Sequence, residues 1–321
     1  MRKTCLPVLL LVLINLSAFA EPNDKSGHSF ALGVSFGMLS GETEEIVYVD
    51  SASDDKLSML NWEIKPLFYA GLDLHYGWQS SRTVLGLFSD IFFKFGIPAK
   101  TGTMGDRDWF DSNWDGTYPW LTHYSEHENK TNTAVLLDFN VGVSFKLSSG
   151  FKLKPFLSYS FMFYSWEASG GSYLYPLWFH PQEHFSTPSS ERVITYKQSW
   201  HIVSPGFSFY GEFNRFFNLE LSVRISPFIL LISVDDHIGT NTVYTDLPFG
   251  GFFIEPGLLF SFKADAVVTL SFSYAFRYIT GSRGDSMSKT GGISFITDNI
   301  AGASYSVHDI GITAKFTVPD F

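Results

Sequence analysis

The chain has 321 residues, a formal net charge of −10 and an aromatic content of 17%, with 33 phenylalanines. The negative charge argues against nucleic acid as a partner and favours cationic ligands. After residue 20 no apolar run approaches the roughly 20 residues that a membrane-spanning helix needs. So apolar a chain without such a helix suggests a membrane β-barrel, in which apolar residues are spread over one face of many strands.

The N-terminal segment has the three parts of a cleavable secretory signal. A basic start is followed by an apolar run over residues 6–16 and by a small-x-small end at 18–20. The single cysteine, Cys5, lies before the apolar run, so we expect neither lipid attachment nor a cysteine nucleophile in the mature protein. We predict a signal peptide at 1–20 and one barrel domain at 21–321.

Strict alternation of apolar and polar residues marks the strands that follow. Between Val135 and Leu147 the odd positions are apolar, whereas the even positions include Asp138 and Lys146. Successive strand side chains point to opposite faces, so one face suits lipid and the other suits water. The pattern predicts an all-β fold, a ten-stranded antiparallel transmembrane barrel, with strands at roughly 28–49, 56–78, 83–98, 132–147, 150–174, 190–212, 215–236, 245–263, 266–281 and 304–318.

The connections alternate between short turns, expected at the periplasmic side, and longer polar segments, expected to face outward as loops. The long segments are 50–55, 99–131, 175–189, 237–244 and 282–303. Several strands are longer than the apolar band of about 25 Å requires, so the barrel should extend above the outer membrane. Phe321 is the terminal aromatic residue that barrels commonly carry.

Four prolines interrupt the predicted strands. Proline cannot donate to a ladder, so we expect bulges or local breaks at these positions, which are Pro66, Pro155, Pro205 and Pro256. We also expect charged side chains to fill the narrow lumen, namely Glu63, Lys65, Asp73, Lys146, Lys152, Glu220 and Arg224.

Two pairs of titratable residues lie at i and i+2 near outward strand ends: Asp106 with Asp108, and Asp235 with His237. Residues at this spacing share one face of a strand, so each pair can point into the lumen. Two neighbouring carboxylates resist ionising together, and a carboxylate can fix the tautomer of a histidine that acts as a base. The alternative is a solvated acidic rim without catalytic function.

The chain resembles the omptins, a family of outer-membrane proteases, over nearly the full predicted mature length. The resemblance is carried by Leu39-Ser40-Gly41-Glu42-Thr43, Leu60-Asn61-Trp62, Asp106-Arg107-Asp108-Trp109-Phe110-Asp111-Ser112, Ala168-Ser169-Gly170-Gly171-Ser172-Tyr173, Glu191-Arg192 and Tyr196-Lys197-Gln198. It implies that Asp106 and Asp108 form an aspartate couple and that Asp235 and His237 form a catalytic dyad. It also implies a preference for basic residues beside the scissile bond, with Glu45 as a substrate-binding carboxylate.

Two positions depart from the omptin pattern. Ser233 stands where the resemblance implies a second acidic group, and a lost charge-assisted hydrogen bond is commonly worth about 1.5–3 kcal/mol, so we expect a relaxed preference for basic residues. Omptins also bind lipopolysaccharide through an outward row of charged residues. The matching positions are Tyr159, Phe161, Phe163 and Ser199, so we expect weak or absent dependence on this lipid.

Other motifs are expected to be without function. Gly33-Val34-Ser35-Phe36-Gly37 spells a nucleophile elbow but lies in a strand with no helix after it. His123-Tyr124-Ser125-Glu126-His127 and His180-Pro181-Gln182-Glu183-His184 spell a zinc signature, but both are expected in loops, where the two histidines of a motif would not share a helix face. Arg283-Gly284-Asp285, expected in an outer loop, leaves a side role in adhesion open.

The sequence therefore predicts a monomeric surface endopeptidase of the outer membrane, without metal or cofactor, acting on cationic polypeptides. Its catalytic residues would be Asp106, Asp108, Asp235 and His237. A catalytically silent barrel that serves as an adhesin or structural protein is the first alternative. A small porin is the second, for which the filled lumen predicts low conductance.

Overall fold

The computed structural model describes residues 27–109, 121–175, 183–265 and 267–318. The predicted signal peptide and Phe321 lie outside the described residues. Within these ranges no helix is long and apolar enough to cross a membrane. The strands are β1 (Gly27–Tyr48), β2 (Lys56–Gln79), β3 (Leu85–Gly96), β4 (Ala99–Asp108), β5 (His123–Lys146), β6 (Phe151–Tyr175), β7 (Glu183–Glu212), β8 (Phe217–Ser226), β9 (Phe228–His237), β10 (Thr242–Phe249), β11 (Phe252–Lys263), β12 (Val268–Thr290) and β13 (Ile293–Val318).

The described strands form one antiparallel ring with ten wall positions. Three pairs of consecutive strands, β3 with β4, β8 with β9 and β10 with β11, each occupy a single position in the wall. The ring closes where β1 pairs with β13, from Phe30 opposite Val318 to Val47 opposite Ala301. The predicted ten-stranded barrel is therefore confirmed, and closure removes the unpaired edges that an open sheet would present to lipid.

The alternation of side chains gives the wall its two faces. Phe139 and Val141 on β5 are exposed on the outside, whereas Asp138, which precedes Phe139, is buried in the lumen. On β13 the same holds for Ile312, which is exposed, and Thr313, which is buried. These apolar outer residues form the surface that contacts lipid, as the sequence predicts.

Pro66 produces the bulge that its position predicts. The β1–β2 ladder passes from Leu39 opposite Leu67 to Gly41 opposite Ile64, so β2 has one extra residue at this point. A slip of one residue moves every following side chain to the other face of the sheet. Before Pro66 the even-numbered residues of β2 therefore point into the lumen, whereas after Pro66 the odd-numbered residues do.

This bulge makes the prediction for Glu63 and Lys65 wrong. Both were expected in the lumen, but they lie on the outer face above the bulge. Lys65 pairs there with Glu63 at 2.8 Å and with Glu42 at 3.7 Å, and its side chain is 46% exposed. The alternation of lumen and outer residues in β2 is therefore reversed at Pro66.

The other three prolines also coincide with irregular pairing. Opposite Pro205 the partner of β7 changes from β9 to β8, with a shift of one residue between the two registers. The ladders beside Pro155 and Pro256 each omit two pairs, between Gly142–Phe156 and Phe145–Leu153, and between Ile254–Tyr278 and Gly257–Ala275. Breaks at prolines are thus confirmed.

Two segments predicted as outer loops are largely strand. The predicted loop 99–131 contains β4 and the start of β5, and the predicted loop 282–303 contains the long hairpin of β12 and β13. The hairpin turns at Gly291 and Gly292, whose φ angles of 57° and 87° suit glycine. Above the membrane both faces of a strand can meet water, so the apolar alternation fades while the hydrogen-bonded ladder continues.

The lower lumen holds a cavity of about 690 Å³ lined by charged groups, among them Asp73, Lys152, Glu220 and Arg224. Arg224 Nη1 lies 3.1 Å from Asp138 Oδ1, and Arg224 Nε donates to Glu255 Oε1 at 3.0 Å. These pairs satisfy charges that would be costly to bury alone.

An aromatic layer crosses the lumen above this cavity. The rings of Trp62 and Tyr196 stack with centroids 5.4 Å apart, and those of Tyr164 and Trp166 stack at 5.0 Å. The hydroxyls of Tyr164 and Tyr305 are hydrogen bonded at 2.7 Å. All five side chains are fully buried. The layer forms the floor of the outward-facing half of the barrel and separates it from the charged cavity.

Candidate active site

The two titratable pairs stand on strands from different parts of the wall. Asp106 and Asp108 lie on β4, which pairs with β2 and β5. Asp235 and His237 lie on β9, which pairs with β7 and β10. Because strand side chains alternate, both members of each pair share the lumen face, as the i and i+2 spacing predicts.

The dyad is formed by direct contact. His237 Nε2 is hydrogen bonded to Asp235 Oδ2, and Asp235 is 2% exposed. The His237 ring meets Tyr244 edge to face at 5.4 Å. Burial lowers the pKa of His237, but the hydrogen bond and charge of Asp235, together with the charges of Asp106 and Asp108, raise it above its ordinary value on balance. The imidazole is thus set up to accept a proton.

The aspartate couple is held partly protonated near neutral pH. Burial and the neighbouring Asp108 carboxylate raise the pKa of Asp106 to about 7, although the positive charge of His237 opposes this rise. Burial also raises the pKa of Asp108, against a hydrogen bond from Ser58 that lowers it. Among the described residues Asp106 Oδ1 has no hydrogen-bond partner. The charges of His237 and Asp235 both act on Asp106, so the two pairs influence one another electrostatically.

Two further carboxylates are buried beside the dyad. Glu45 on β1 and Asp246 on β10 are each 3% exposed, and their side chains are hydrogen bonded to one another. Burial, followed by the negative charges of Asp235 and Asp246, raises the pKa of Glu45 well above its ordinary value. Sequence reasoning identified Glu45 but missed Asp246.

The position of Asp246 explains why it was missed. It pairs across the β9–β10 ladder with Ser233, the position at which the omptin pattern has an acidic residue. Cross-strand partners in an antiparallel pair place their side chains on the same face. The register of β10, which the sequence alone does not give, would have been needed to find this carboxylate.

Polar groups at the level of the aromatic floor are hydrogen bonded to one another and to floor residues. Gln198 accepts hydrogen bonds from Thr43 Oγ1 at 3.0 Å and from Trp200 Nε1 at 3.1 Å. It donates through Nε2 to the Tyr196 hydroxyl at 2.8 Å. The Tyr196 side chain in turn is hydrogen bonded to Ser233. This network satisfies buried polar groups and fixes the floor on which the carboxylates stand.

The first zinc motif is not in a loop, as the sequence had suggested, but in strand β5. The two ring nitrogens of His127 are hydrogen bonded, one to Ser125 Oγ at 2.8 Å and the other to the Gly170 carbonyl. Among the described residues no group of three or more potential ligands could hold a metal ion. Residues 180–182 of the second motif lie outside the described ranges. The nucleophile-elbow pattern lies within β1, away from any strand-to-helix turn.

The Arg283-Gly284-Asp285 tripeptide is not in an outer loop, which corrects its expected position. It lies within β12. Arg283 Nη1 lies 3.0 Å from Asp54 Oδ1, its guanidinium stacks 3.9 Å from the Tyr48 ring centre, and Asp285 accepts a hydrogen bond from the Asn299 amide. Both charged side chains make contacts within the chain, because the long hairpin packs against the 50–55 loop, although Asp285 itself is exposed.

The outward row that differs from the omptin lipid site is largely aromatic. The Tyr159 hydroxyl and His201 Nδ1 are hydrogen bonded at 2.8 Å, and the rings of Phe161 and His201 lie 5.2 Å apart. Tyr159 is exposed on the outer face of the barrel. The row offers aromatic surface rather than a cluster of cations.

Comparison with known proteins bears on both the fold and the chemistry. The omptin family model matches residues 26–318. The plasminogen activator of Yersinia pestis is 27% identical over 243 residues, which cover 74% of this chain and 73% of that protein. Protease 7 of Escherichia coli strain K12 is 28% identical over 260 residues, with the same shares of the two chains. The crystal structure of the outer membrane protease OmpT from Escherichia coli superposes with a TM-score of 0.79 at 21% identity, covering 90% of this chain and 97% of that one.

Proposed function

Because the chain belongs to the omptin family, we propose that it is an endopeptidase that hydrolyses polypeptides with a water molecule activated between Asp106–Asp108 and Asp235–His237. The barrel is an outer-membrane protein with its site facing outward, and its family membership supports a peptidase activity.

One observation carries the mechanism: His237 is hydrogen bonded to Asp235 and is also acted on by the charges of Asp106 and Asp108. A base with a raised pKa therefore faces a pair of carboxylates that retains a proton near neutral pH. This is the arrangement needed to hold and deprotonate water without a protein nucleophile.

The reaction can be written with these groups alone. A water molecule held between the pairs gives a proton to His237 as its oxygen attacks the peptide carbonyl carbon. Asp235 stabilises the resulting imidazolium, and the proton kept by the Asp106–Asp108 couple supports the developing oxyanion or the orientation of the water. The imidazolium then protonates the leaving amine as the carbon–nitrogen bond breaks. No acyl-enzyme is formed.

The charge of the site supports cationic substrates. Glu45, Asp106, Asp235 and Asp246 act on one another electrostatically, and the whole chain carries a formal net charge of −10. An acidic concave mouth raises the local concentration of positively charged peptides. We propose that a basic residue is read beside the scissile bond, with Glu45 as one of its contacts.

The test uses the purified barrel and a quenched fluorescent peptide containing arginine. His237→Ala and Asp106→Asn should each lower kcat/KM by at least about 100-fold, the usual contribution of acid–base groups. Asp236→Asn is the matched control, since this residue lies between the dyad members on the opposite face of β9. Absence of cleavage by the wild-type barrel would favour the silent barrel, and equal cleavage by wild type and His237→Ala would contradict the proposed mechanism. Porin-sized currents in a planar bilayer would favour the channel.

A further inference from the structure

Glu45 and Asp246 are two buried carboxylates beside the dyad. We infer that Asp246 and Glu45 form a subsite for one guanidinium or ammonium side chain of the substrate, in which Asp246 supplies the carboxylate that β9 lacks at Ser233. The inference rests on the proposed function only for the bond that is cut. The binding of a cationic side chain can be tested without cleavage.

The geometry brings the two carboxylates together from different parts of the wall. Asp246 pairs with Ser233 on β9 and with Ser286 on β12. Glu45 pairs with Ala303 on β13, a residue with a small side chain. The Glu45 and Asp246 side chains are hydrogen bonded to one another.

The two carboxylates are incompletely satisfied. Glu45 Oε2 and Asp246 Oδ1 are buried and have no hydrogen-bond partner among the described residues. The charged groups that act on Glu45 are Asp235, Asp246 and Asp106, all of them acidic. A buried carboxylate oxygen without a donor is costly, because water is lost and nothing replaces it.

A cationic side chain would supply the absent donors. A guanidinium presents several N–H groups in a planar fork and can donate to both free oxygens at once. An ammonium can donate to both as a point charge. A neutral side chain of the same length would leave at least one carboxylate unpaired, which is the condition under which binding sites discriminate most strongly.

This arrangement changes what Ser233 implies. The expectation of a relaxed preference counted acidic residues along β9 alone. With Asp246 across the ladder the number of carboxylates facing the subsite is restored, so we replace that expectation with a pronounced preference for a basic residue. The hydrogen bond between Glu45 and Asp246 requires a shared proton, and a bound cation would displace it. Binding of basic peptides should therefore strengthen as pH rises.

The first experiment compares two peptides that differ only in arginine or citrulline beside the scissile bond. Citrulline keeps the shape of arginine but is uncharged. In the wild-type protein kcat/KM should favour arginine by at least about tenfold, the effect of one charge-assisted hydrogen bond. Asp246→Asn should reduce this ratio by about tenfold. The double variant Ser233→Asp, Asp246→Ser, which moves the carboxylate back across the ladder, should restore it.

The second experiment separates the subsite from catalysis. In a His237→Ala background the dissociation constants of the same two peptides are measured by fluorescence anisotropy, with and without Asp246→Asn. The inference predicts a preference for the arginine peptide that is at least about tenfold smaller when residue 246 is neutral. An arginine-to-citrulline ratio that Asp246→Asn leaves unchanged in this binding assay would overturn it, even if the wild-type barrel is a peptidase. A wild-type barrel that does not cleave either peptide, together with intact binding selectivity, would instead contradict only the proposed function.

Discussion

His237 and Asp235, two residues apart on β9, are hydrogen bonded to one another, with the carboxylate buried and the imidazole partly open to the mouth. The contact matters because burial alone would lower the pKa of His237. The carboxylates around it reverse that effect and raise its pKa. The protonation state of one side chain is therefore set by residues from β4 and β9 together.

The pH dependence of cleavage should reveal this coupling. A base must be neutral to accept a proton, so kcat/KM should rise with pH through the pKa of His237, with a midpoint above the ordinary value of 6.5. Asp235→Asn removes the negative charge that raises this pKa, so the rising limb should move to lower pH as the maximal rate falls. The citrulline peptide is the suitable substrate, because it does not report the titration of Glu45. If the rising limb of the Asp235→Asn profile keeps its midpoint or moves to higher pH, His237 is not the base whose pKa Asp235 raises.

The aspartate couple should lower the stability of the barrel above neutral pH. The pKa of Asp106 is raised from 3.8 to about 7, so the folded state binds this proton more tightly than the unfolded state does. Stability is then lost as pH rises from about 4 to about 7, by at most about 4 kcal/mol for a shift of this size. Asp106→Asn should therefore raise the thermal unfolding temperature in detergent at pH 8 but hardly at pH 4. An equal change at both pH values would show that the carboxylate is not perturbed.

Accessibility in intact cells can test the inversion of β2 at Pro66. In a Cys5→Ser background, Lys65→Cys should react with a membrane-impermeant maleimide, because Lys65 lies on the outer face above the membrane with a 46% exposed side chain. Ser35→Cys is the matched control, since Ser35 is buried on the lumen face of β1. If Lys65→Cys is protected from the maleimide, residue 65 lies in the lumen, and the inversion of β2 at Pro66 is wrong.

The aromatic outer row leads to a prediction about lipid. Tyr159 and His201 are hydrogen bonded to each other, and Phe161 packs against the His201 ring. The row therefore lacks the cations that would bind phosphate groups of lipopolysaccharide. The protein refolded in detergent should cleave its peptide without this lipid, and adding it should change the rate by less than about threefold, well below the effect of one charge-assisted bond. Activity that appears only after lipopolysaccharide is added would contradict this proposal.

The sequence predicted the membrane-embedded barrel well because lipid imposes strict alternation there. Phe139 and Asp138 could be assigned to opposite faces from their spacing alone. Above the membrane this constraint ends, so the sequence predicts loops where the structure has β4 and the β12–β13 hairpin. The sequence predicts the bulge at Pro66, but the extra residue that the bulge adds to β2 reverses the face on which Lys65 lies.

The candidate site shows the same limit. Asp106, Asp108, Asp235 and His237 could be found because each pair is local in sequence and the omptin resemblance covers both. Asp246 could not, because its relation to Ser233 is set by the register of two neighbouring strands. A carboxylate on the neighbouring strand can occupy the same face of the wall as the residue that a motif specifies, but it lies outside the motif in sequence.

The central claim is that the two pairs act as one unit on a single water molecule. A double-mutant cycle on kcat/KM with Asp106→Asn and His237→Ala tests it most directly, because groups that act as a unit show strongly non-additive losses. We expect the double variant to be within about threefold of the more damaged single variant, because groups that share one step lose activity together. Losses that multiply would contradict it, since they would mean that the couple and the dyad act independently.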